Sequence, residues 1–299
     1  MQPYFVDLHT HTIASDGTDT PRELVIKAAK LKLAAIAITD HDTIAGLEEA
    51  EQAGRENQIE VIRGCELGVT SKYGEIHLLG LWLPYDNISL KKMFKTLLKD
   101  RHDRAKLIIS KLNKLGYNIS YEEIIANVFG ESIGRLHIAQ HLTQKGYFVN
   151  TKEAFKSCLG YNGLAYIPKT TISLKEGVRV LADAGAMVSF AHPMLLRCPK
   201  DWLEDTIIML KDCGLSAIEA YHSEHSQKDE RYCVDLANRY DLGITGGSDY
   251  HGTGKPNVKL GKGRGRVRMT LAMLEVLKER HFRTKSNYTN LEKIVSNNI

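Results

Sequence analysis

Apolar and polar positions along this chain follow two alternating periods. Residues 4–8 are a short apolar run ending in polar side chains, which predicts a strand. Residues 21–31 predict a helix, with Thr20 as its N-cap, Pro21 at the first helical position and Glu23 in the first turn. A strand at 35–39, a helix at 44–57, a strand at 60–65 and a hairpin over 69–83, turning at Lys72-Tyr73-Gly74, continue the series. The period then changes. From residue 89 to about 157 there is no strand pattern, only helical stretches at 90–115, 121–128, 135–145 and 152–158. The alternation resumes with helix 174–184, strand 186–190, helix 202–213, strand 217–220, helix 227–240 and strand 243–247. A βα series broken by an all-helical block predicts one α/β domain with a helical insertion of roughly 80 residues. The expected division is 1–86, an insertion at 87–165 and 166–299.

Composition narrows the class. The chain has 299 residues, 43% hydrophobic and 25% charged, enough for a sizeable core and unlike a disordered or fibrous protein. Its longest clean apolar run, 33–38, is far short of the ~20 residues of a membrane span. Met1-Gln2-Pro3-Tyr4 lacks the basic-then-apolar order of a secretory signal. Five scattered cysteines without a CxxC pair read as free thiols in a reducing compartment, so the expected location is cytoplasmic. The formal charge of +4 suits an anionic substrate but not a surface that coats nucleic acid. No membrane or obligate protein partner is expected.

The histidines carry the chemistry. The first strand runs into His9-Thr10-His11, with Asp16-Gly17 after it, and the second into Thr39-Asp40-His41-Asp42. The third ends at Gly64-Cys65-Glu66, and the hairpin carries His77. Beyond the insertion, strands end in Ala191-His192-Pro193 and Gly247-Ser248-Asp249-Tyr250-His251. In parallel α/β barrels the carboxyl ends of the strands share one face, where active sites are built. Residues at i and i+2, as in His9-x-His11 and Asp249-x-His251, project to the same side. Six histidines and three carboxylates exceed the four to six ligands of one ion, so with Glu66 as bridge they fit two or three. The donor set suits zinc, manganese or iron better than calcium or magnesium alone. Such a centre acidifies a water and neutralises charge on an attacked phosphate, which points to phosphoester cleavage. His102, His137, His141 and His281 fall outside this pattern, and His222 and His225 follow a strand end with their role open.

These motifs, together with Ser15-Asp16-Gly17 and His77-Leu78-Leu79-Gly80, resemble the PHP (polymerase and histidinol phosphatase) superfamily over both halves of the α/β domain. The resemblance implies a distorted seven-stranded, TIM-like β/α barrel with a metal centre from which no ligand position is missing. It implies one ion on His9, His11, Glu66 and Asp249, a second on Glu66, His77 and His192, and a third on Asp16, His41 and His251. Manganese comes first among manganese, iron, zinc and magnesium, and Asp16, His41 and His192 are the expected catalytic residues.

Within the superfamily the chain is most similar to the phosphoesterases with a helical insertion, including 3′,5′-nucleoside bisphosphate phosphatases and 5′–3′ exoribonucleases. Ser132-Ile133-Gly134-Arg135 and Tyr166-Ile167-Pro168-Lys169 resemble segments that supply an Arg and a Lys to the substrate's 5′-phosphate. Arg135, Lys169 and His222 are therefore the expected substrate contacts. The expected substrate is a small nucleotide phosphoester, with short RNA as a further one. Histidinol phosphatase, a metal-dependent amidohydrolase and a non-catalytic metal-binding PHP module are the alternatives. The basic run Lys262-Gly263-Arg264-Gly265-Arg266-Val267-Arg268 reads as a solvated loop or a contact to a nucleic-acid backbone.

Overall fold

A computed structural model describes residues 4–128, 132–168, 172–265 and 267–296, with backbone alone from 284 onward. Seven strands form one sheet in chain order: β1 (Val6–Asp7), β2 (Ala35–Ile38), β3 (Glu60–Ser71), β4 (Gly74–Leu81), β5 (Met187–Phe190), β6 (Leu215–His222) and β7 (Gly243–Gly247). Neighbours are parallel except around β4, which is antiparallel to both β3 and β5. The two edges meet. Leu8 N donates to Gly246 O at 3.2 Å, Asp249 N to His9 O at 2.9 Å and His11 N to Tyr250 O at 2.9 Å. Gly247 permits this seam, since a Cβ there would lie 2.3 Å from His9 Cβ. The sheet is thus a nearly closed, distorted barrel.

The apolar alternation of each strand serves two cores. Val6, Leu8, Ala35, Ala37, Leu79, Met187 and Ala217 fill the barrel with Met269, Leu274 and Leu277, small residues mixed with large ones to suit the narrow interior. Ile36, Ile38, Leu67, Leu78, Val188 and Ile218 face outward onto α1 (Pro21–Lys30), α2 (Leu47–Asn57), α7 (Leu174–Asp183), α8 (Lys200–Lys211) and α9 (Gln227–Arg239). Thr20 caps α1 in a reciprocal capping box with Glu23.

Between β4 and β5 lie α3 (Ile88–Lys114), α4 (Tyr121–Ile125), α5 (Arg135–Gln144) and α6 (Thr151–Ala154), the last running into a π turn at Phe155–Leu159. They enclose a separate core containing Ile108, Leu112, Ile124, Ile138, Leu142 and Leu159. Helix α3 belongs to both bodies: Leu90, Phe94 and Leu97 pack on the barrel, whereas Ala105, Ile108 and Leu112 pack in the insertion. The final helix, α10, is Leu271–Ser296.

One difference from the sequence reading matters for the site. Strand β3 does not stop at Glu66 but pairs with β4 without interruption from Gly64 opposite Leu81 to Ser71 opposite Gly74. Its other neighbour, β2, ends at Ile38 opposite Arg63. Glu66 therefore stands on a continuing strand just past the end of its neighbour, level with the barrel mouth.

Candidate metal centre

The mouth is built strand by strand. After β1, His9 and His11 point to one side, and their Nε2 atoms lie 3.1 Å apart. Thr10 faces the other way, where its hydroxyl donates to Ala37 O at 2.6 Å. The loop that carries Asp16 is tied down by Asp40, which accepts from Thr12 N at 2.8 Å, Thr12 Oγ1 at 2.7 Å and Ser15 Oγ at 2.6 Å. Gly17 is required beside it, since a Cβ there would lie 2.4 Å from His11 O.

Glu66 is the hub. Its Oε1 is 2.7 Å from His77 Nδ1 and 2.9 Å from His192 Nε2. Its Oε2 is 3.2 Å from His9 Nε2 and 3.1 Å from both His11 Nε2 and His41 Nδ1. On the far side Asp249 Oδ1 is 3.3 Å from His11 Nε2, and Asp16 Oδ1 is 3.2 Å from His251 Nε2. The structure thus brings all nine expected metal-ligand residues to one mouth.

Their donor atoms form sets within 4.8 Å of one another: His11, Asp16, His41 and His251; His9, His11 and Asp249; His9, Glu66 and His192; and His41, Glu66 and His77. The donor chemistry fits divalent cations. The Nε2 atoms of the two buried imidazoles converge to 3.1 Å beside the carboxylates of Glu66 and Asp249, a crowding of nitrogen and oxygen donors that a bound cation would satisfy. Buried His11 Nδ1 and Glu66 Oε2 have no hydrogen-bond partner. His192 (φ 28°) and Asp249 (φ 56°) hold left-handed backbone, a strain that clusters at functional sites.

The PHP domain profile matches residues 7–163, more than half of the chain. The chain belongs to the PHP domain family. It is 31% identical over 245 residues to a 5′–3′ exoribonuclease of Haemophilus influenzae, covering 82% of this chain and 89% of that one. It is 30% identical to a phosphoribosyl 1,2-cyclic phosphate 1,2-diphosphodiesterase of Eggerthella lenta, covering 82% and 94%. With a 3′,5′-nucleoside bisphosphate phosphatase of Chromobacterium violaceum it shares 29% identity, covering 84% and 88%. Among solved structures, a metal-dependent phosphoesterase of Bifidobacterium adolescentis superposes with a TM-score of 0.82 at 31% identity, covering 93% and 98%.

The PHP centre has a polarised field. Burial alone would depress the His9 imidazole, but Glu219 and Glu66 hold its pKa well above the ordinary value. Burial likewise opposes the charged form of His77, which Glu66 and Glu75 raise to about 10. For His41, burial prevails and drives the pKa to about 3 despite Glu66 and Asp16. His192 is carried by burial to about 4. Burial also works against ionised Glu66 and Asp16, yet their surrounding imidazoles keep both well below the usual carboxylate range.

A cleft of about 160 Å³ opens on Asp16, His41 and His77, and its opposite wall carries Arg101, Arg104 and Arg135. Arg135 starts α5, donates from Nη1 to Leu159 O at 3.2 Å, and lies 3.7 Å from Glu75 Oε2. Burial and the neighbouring Arg135 lower Arg104 to about 10. Arg101 pairs with buried Asp42 at 2.7 Å, joining α3 to the segment after β2. The other two expected substrate contacts fall elsewhere. Lys169 lies outside the described residues. The His222 ring is fully buried, with Nε2 3.4 Å from Asp249 Oδ2, behind the cluster instead of on the cleft.

Glu219 escaped the sequence reading. Fully buried on β6, it takes His9 Nδ1 at 3.0 Å and accepts from His192 N at 2.8 Å. The available signal was a carboxylate inside the apolar strand Ala217-Ile218-Glu219-Ala220, a position that is costly unless paired. Arg101 and Arg104, three apart on α3, were hidden among the many charges of that helix.

Proposed function

We propose that the protein is a metal-dependent phosphoesterase that hydrolyses the 3′-phosphate of nucleoside 3′,5′-bisphosphates and removes nucleotides from the 5′ end of short 5′-phosphorylated RNA. The observation that carries this reading is the cleft in which Arg104 and Arg135 face Asp16, His41 and His77. One wall offers cations to a phosphate while the other offers a metal centre, which suits a substrate with two phosphates. The exoribonuclease and bisphosphate phosphatase relatives support the same choice.

In this proposal His9, His11, Glu66 and Asp249 hold one ion, Glu66, His77 and His192 a second, and Asp16, His41 and His251 a third, with manganese as the preferred metal. Bound divalent ions acidify a water and neutralise charge on the phosphoryl oxygens. The protein's own groups arrange the rest. Glu219 accepts the His9 Nδ1 proton and so leaves Nε2 to face the mouth. Asp16, His41 and His192 are partly exposed where His9 and His11 are fully buried, so they meet the phosphoryl group and the attacking water. Burial keeps the His41 and His192 rings unprotonated, so their nitrogens are free to hold ions at neutral pH.

Arg135 grips the 5′-phosphate with its planar fork, joined by Lys169, and residues 87–165 form a lid over the substrate. A reducing compartment, the cytoplasm, is the location that suits the free thiols of Cys65, Cys158 and Cys233. No described helix is long and apolar enough to cross a membrane.

Arg135→Ala tests the phosphate grip. Losing a charge-assisted pair is expected to raise KM for a nucleoside bisphosphate about 10- to 100-fold and leave KM for an aryl phosphate nearly unchanged. Equal losses on both substrates would remove the two-phosphate reading. A panel including histidinol phosphate and a cyclic phosphodiester, assayed with each metal, tests the substrate class.

A further inference from the structure

The metal mouth opens onto a second groove. It runs between the β3–β4 turn and the segment after β5, with His77 and His192 on its floor and Tyr73, Leu195, Leu196 and Arg197 along its walls. Its volume is about 340 Å³, roomier than the arginine-lined cleft. Glu75 borders both spaces and lies 3.7 Å from Arg135 Nη2 and 3.8 Å from His77 Nε2, so it forms the ridge between them.

The walls differ in kind from those of the first cleft. Tyr73 is 39% exposed and Leu195 41%. The Tyr73 ring is braced edge-on by Trp202 at 4.8 Å, and Lys72 Nζ sits 5.1 Å from the Tyr73 centroid. Arg197 is exposed, and no carboxylate of the described residues pairs with it. A part-exposed aromatic side chain, aliphatic neighbours and the exposed Arg197 on the groove, with Lys72 beside Tyr73, match a base and ribose followed by a phosphate.

A bisphosphate has no need of this groove, because its reacting phosphate ends at the metal mouth. A diester does. We infer that the groove is the subsite for the nucleotide downstream of the scissile phosphate of single-stranded RNA. Tyr73 stacks the base, and Arg197 and Lys72 meet the next phosphate. This rests on the proposed phosphoesterase activity and extends it.

With the 5′-terminal nucleotide gripped by Arg135, water adds to phosphorus and the P–O3′ bond breaks. One water proton ends on O3′. The products are a nucleoside 5′-monophosphate and an RNA one nucleotide shorter that carries the phosphate on its own 5′ oxygen. That product again presents a 5′-phosphate, so the reaction can repeat from the same end.

Two substitutions test the subsite, Tyr73→Ala and Arg197→Ala, each at an exposed side chain. Kinetics compare a 5′-phosphorylated pentanucleotide with a nucleoside 3′,5′-bisphosphate. Tyr73→Ala is expected to lower kcat/KM on the pentanucleotide about 5- to 150-fold and to change the bisphosphate by less than about twofold. Unchanged pentanucleotide turnover, or equal loss on both substrates, overturns the subsite.

Fluorescence anisotropy of a labelled 5′-phosphorylated pentaadenylate, in chelator, separates this inference from the activity beneath it. The wild type is expected to bind, Tyr73→Ala more weakly, and Arg197→Ala with a salt slope shallower by about one. Absence of wild-type binding overturns the subsite even if the bisphosphate is hydrolysed. Binding that both substitutions weaken supports it even if no phosphoester is turned over.

Discussion

Glu66 and Glu219 show how much one carboxylate can organise. Glu66 meets the imidazoles of His9, His11, His41, His77 and His192, which arrive from three strand ends and the hairpin strand. Glu219 stands behind them and fixes His9 and the backbone of His192 at once. Partners of this kind typically contribute 10- to 100-fold to metal affinity. Glu219→Ala is therefore expected to weaken manganese binding by about that factor, measured calorimetrically on folded protein, and an unchanged affinity would show that Glu219 has no orienting role. Glu66 was legible because it follows a strand in an ordered series of metal-ligand residues. Glu219 was not, because a single acid in a short strand looks like a solvent-facing position when the closing of the barrel around it is unknown.

At the scale of elements, the helix starts at Pro21 and Gln227 were legible because caps act locally, whereas α2 and α8, which have no side-chain cap, begin two or three residues away from their expected starts. Thr20 and Ser226 form capping boxes at the starts of α1 and α9. The full length of β3 was not legible, since Glu66 and Gly68 look like terminators while the pairing with β4 that carries the strand onward is a tertiary contact. The double allegiance of α3 was hidden for the same reason. One uniform amphipathic helix serves two cores, and Arg101 on fully buried Asp42 is one tie between them. Removing Arg101 takes the compensating charge away from buried Asp42, which keeps Gly68 N at 2.9 Å, and such a loss costs about 3–5 kcal/mol. Arg101→Ala should lower unfolding stability by about that amount in urea titration, and a loss under about 1 kcal/mol would show the tie to be solvated.

For the whole molecule, the sequence made the strand–helix alternation and the common mouth legible and the family resemblance supplied the seven-stranded barrel, while the side of the mouth on which α5 sets Arg135 depends on packing within the insertion. The collected field makes a pH prediction for protein stripped of ions. His41 and His192, with folded values of about 3 and 4 against an unfolded value near 6.5, refuse protons that the unfolded chain accepts. Their contribution to stability is intact above about pH 6.5 and drains away as the pH falls toward 4. His11 and His77, raised to about 9 and 10, act in the opposite sense: their contribution is full below about 6.5 and fades as the pH rises through those values. Both hold protons at neutral pH, so loading with a divalent ion should release protons, read as a dependence of calorimetric heat on buffer ionisation enthalpy. Absence of release would mean that these imidazoles do not take part in ion binding. The central claim is that nine side chains, from His9 to His251, share one cluster of divalent ions. The most direct test is an anomalous-difference map from manganese-loaded crystals. Two or three peaks bracketing Glu66, among His9, His11, Asp16, His41, His77, His192, Asp249 and His251, are expected; no peak there, or manganese only elsewhere on the surface, would contradict the account.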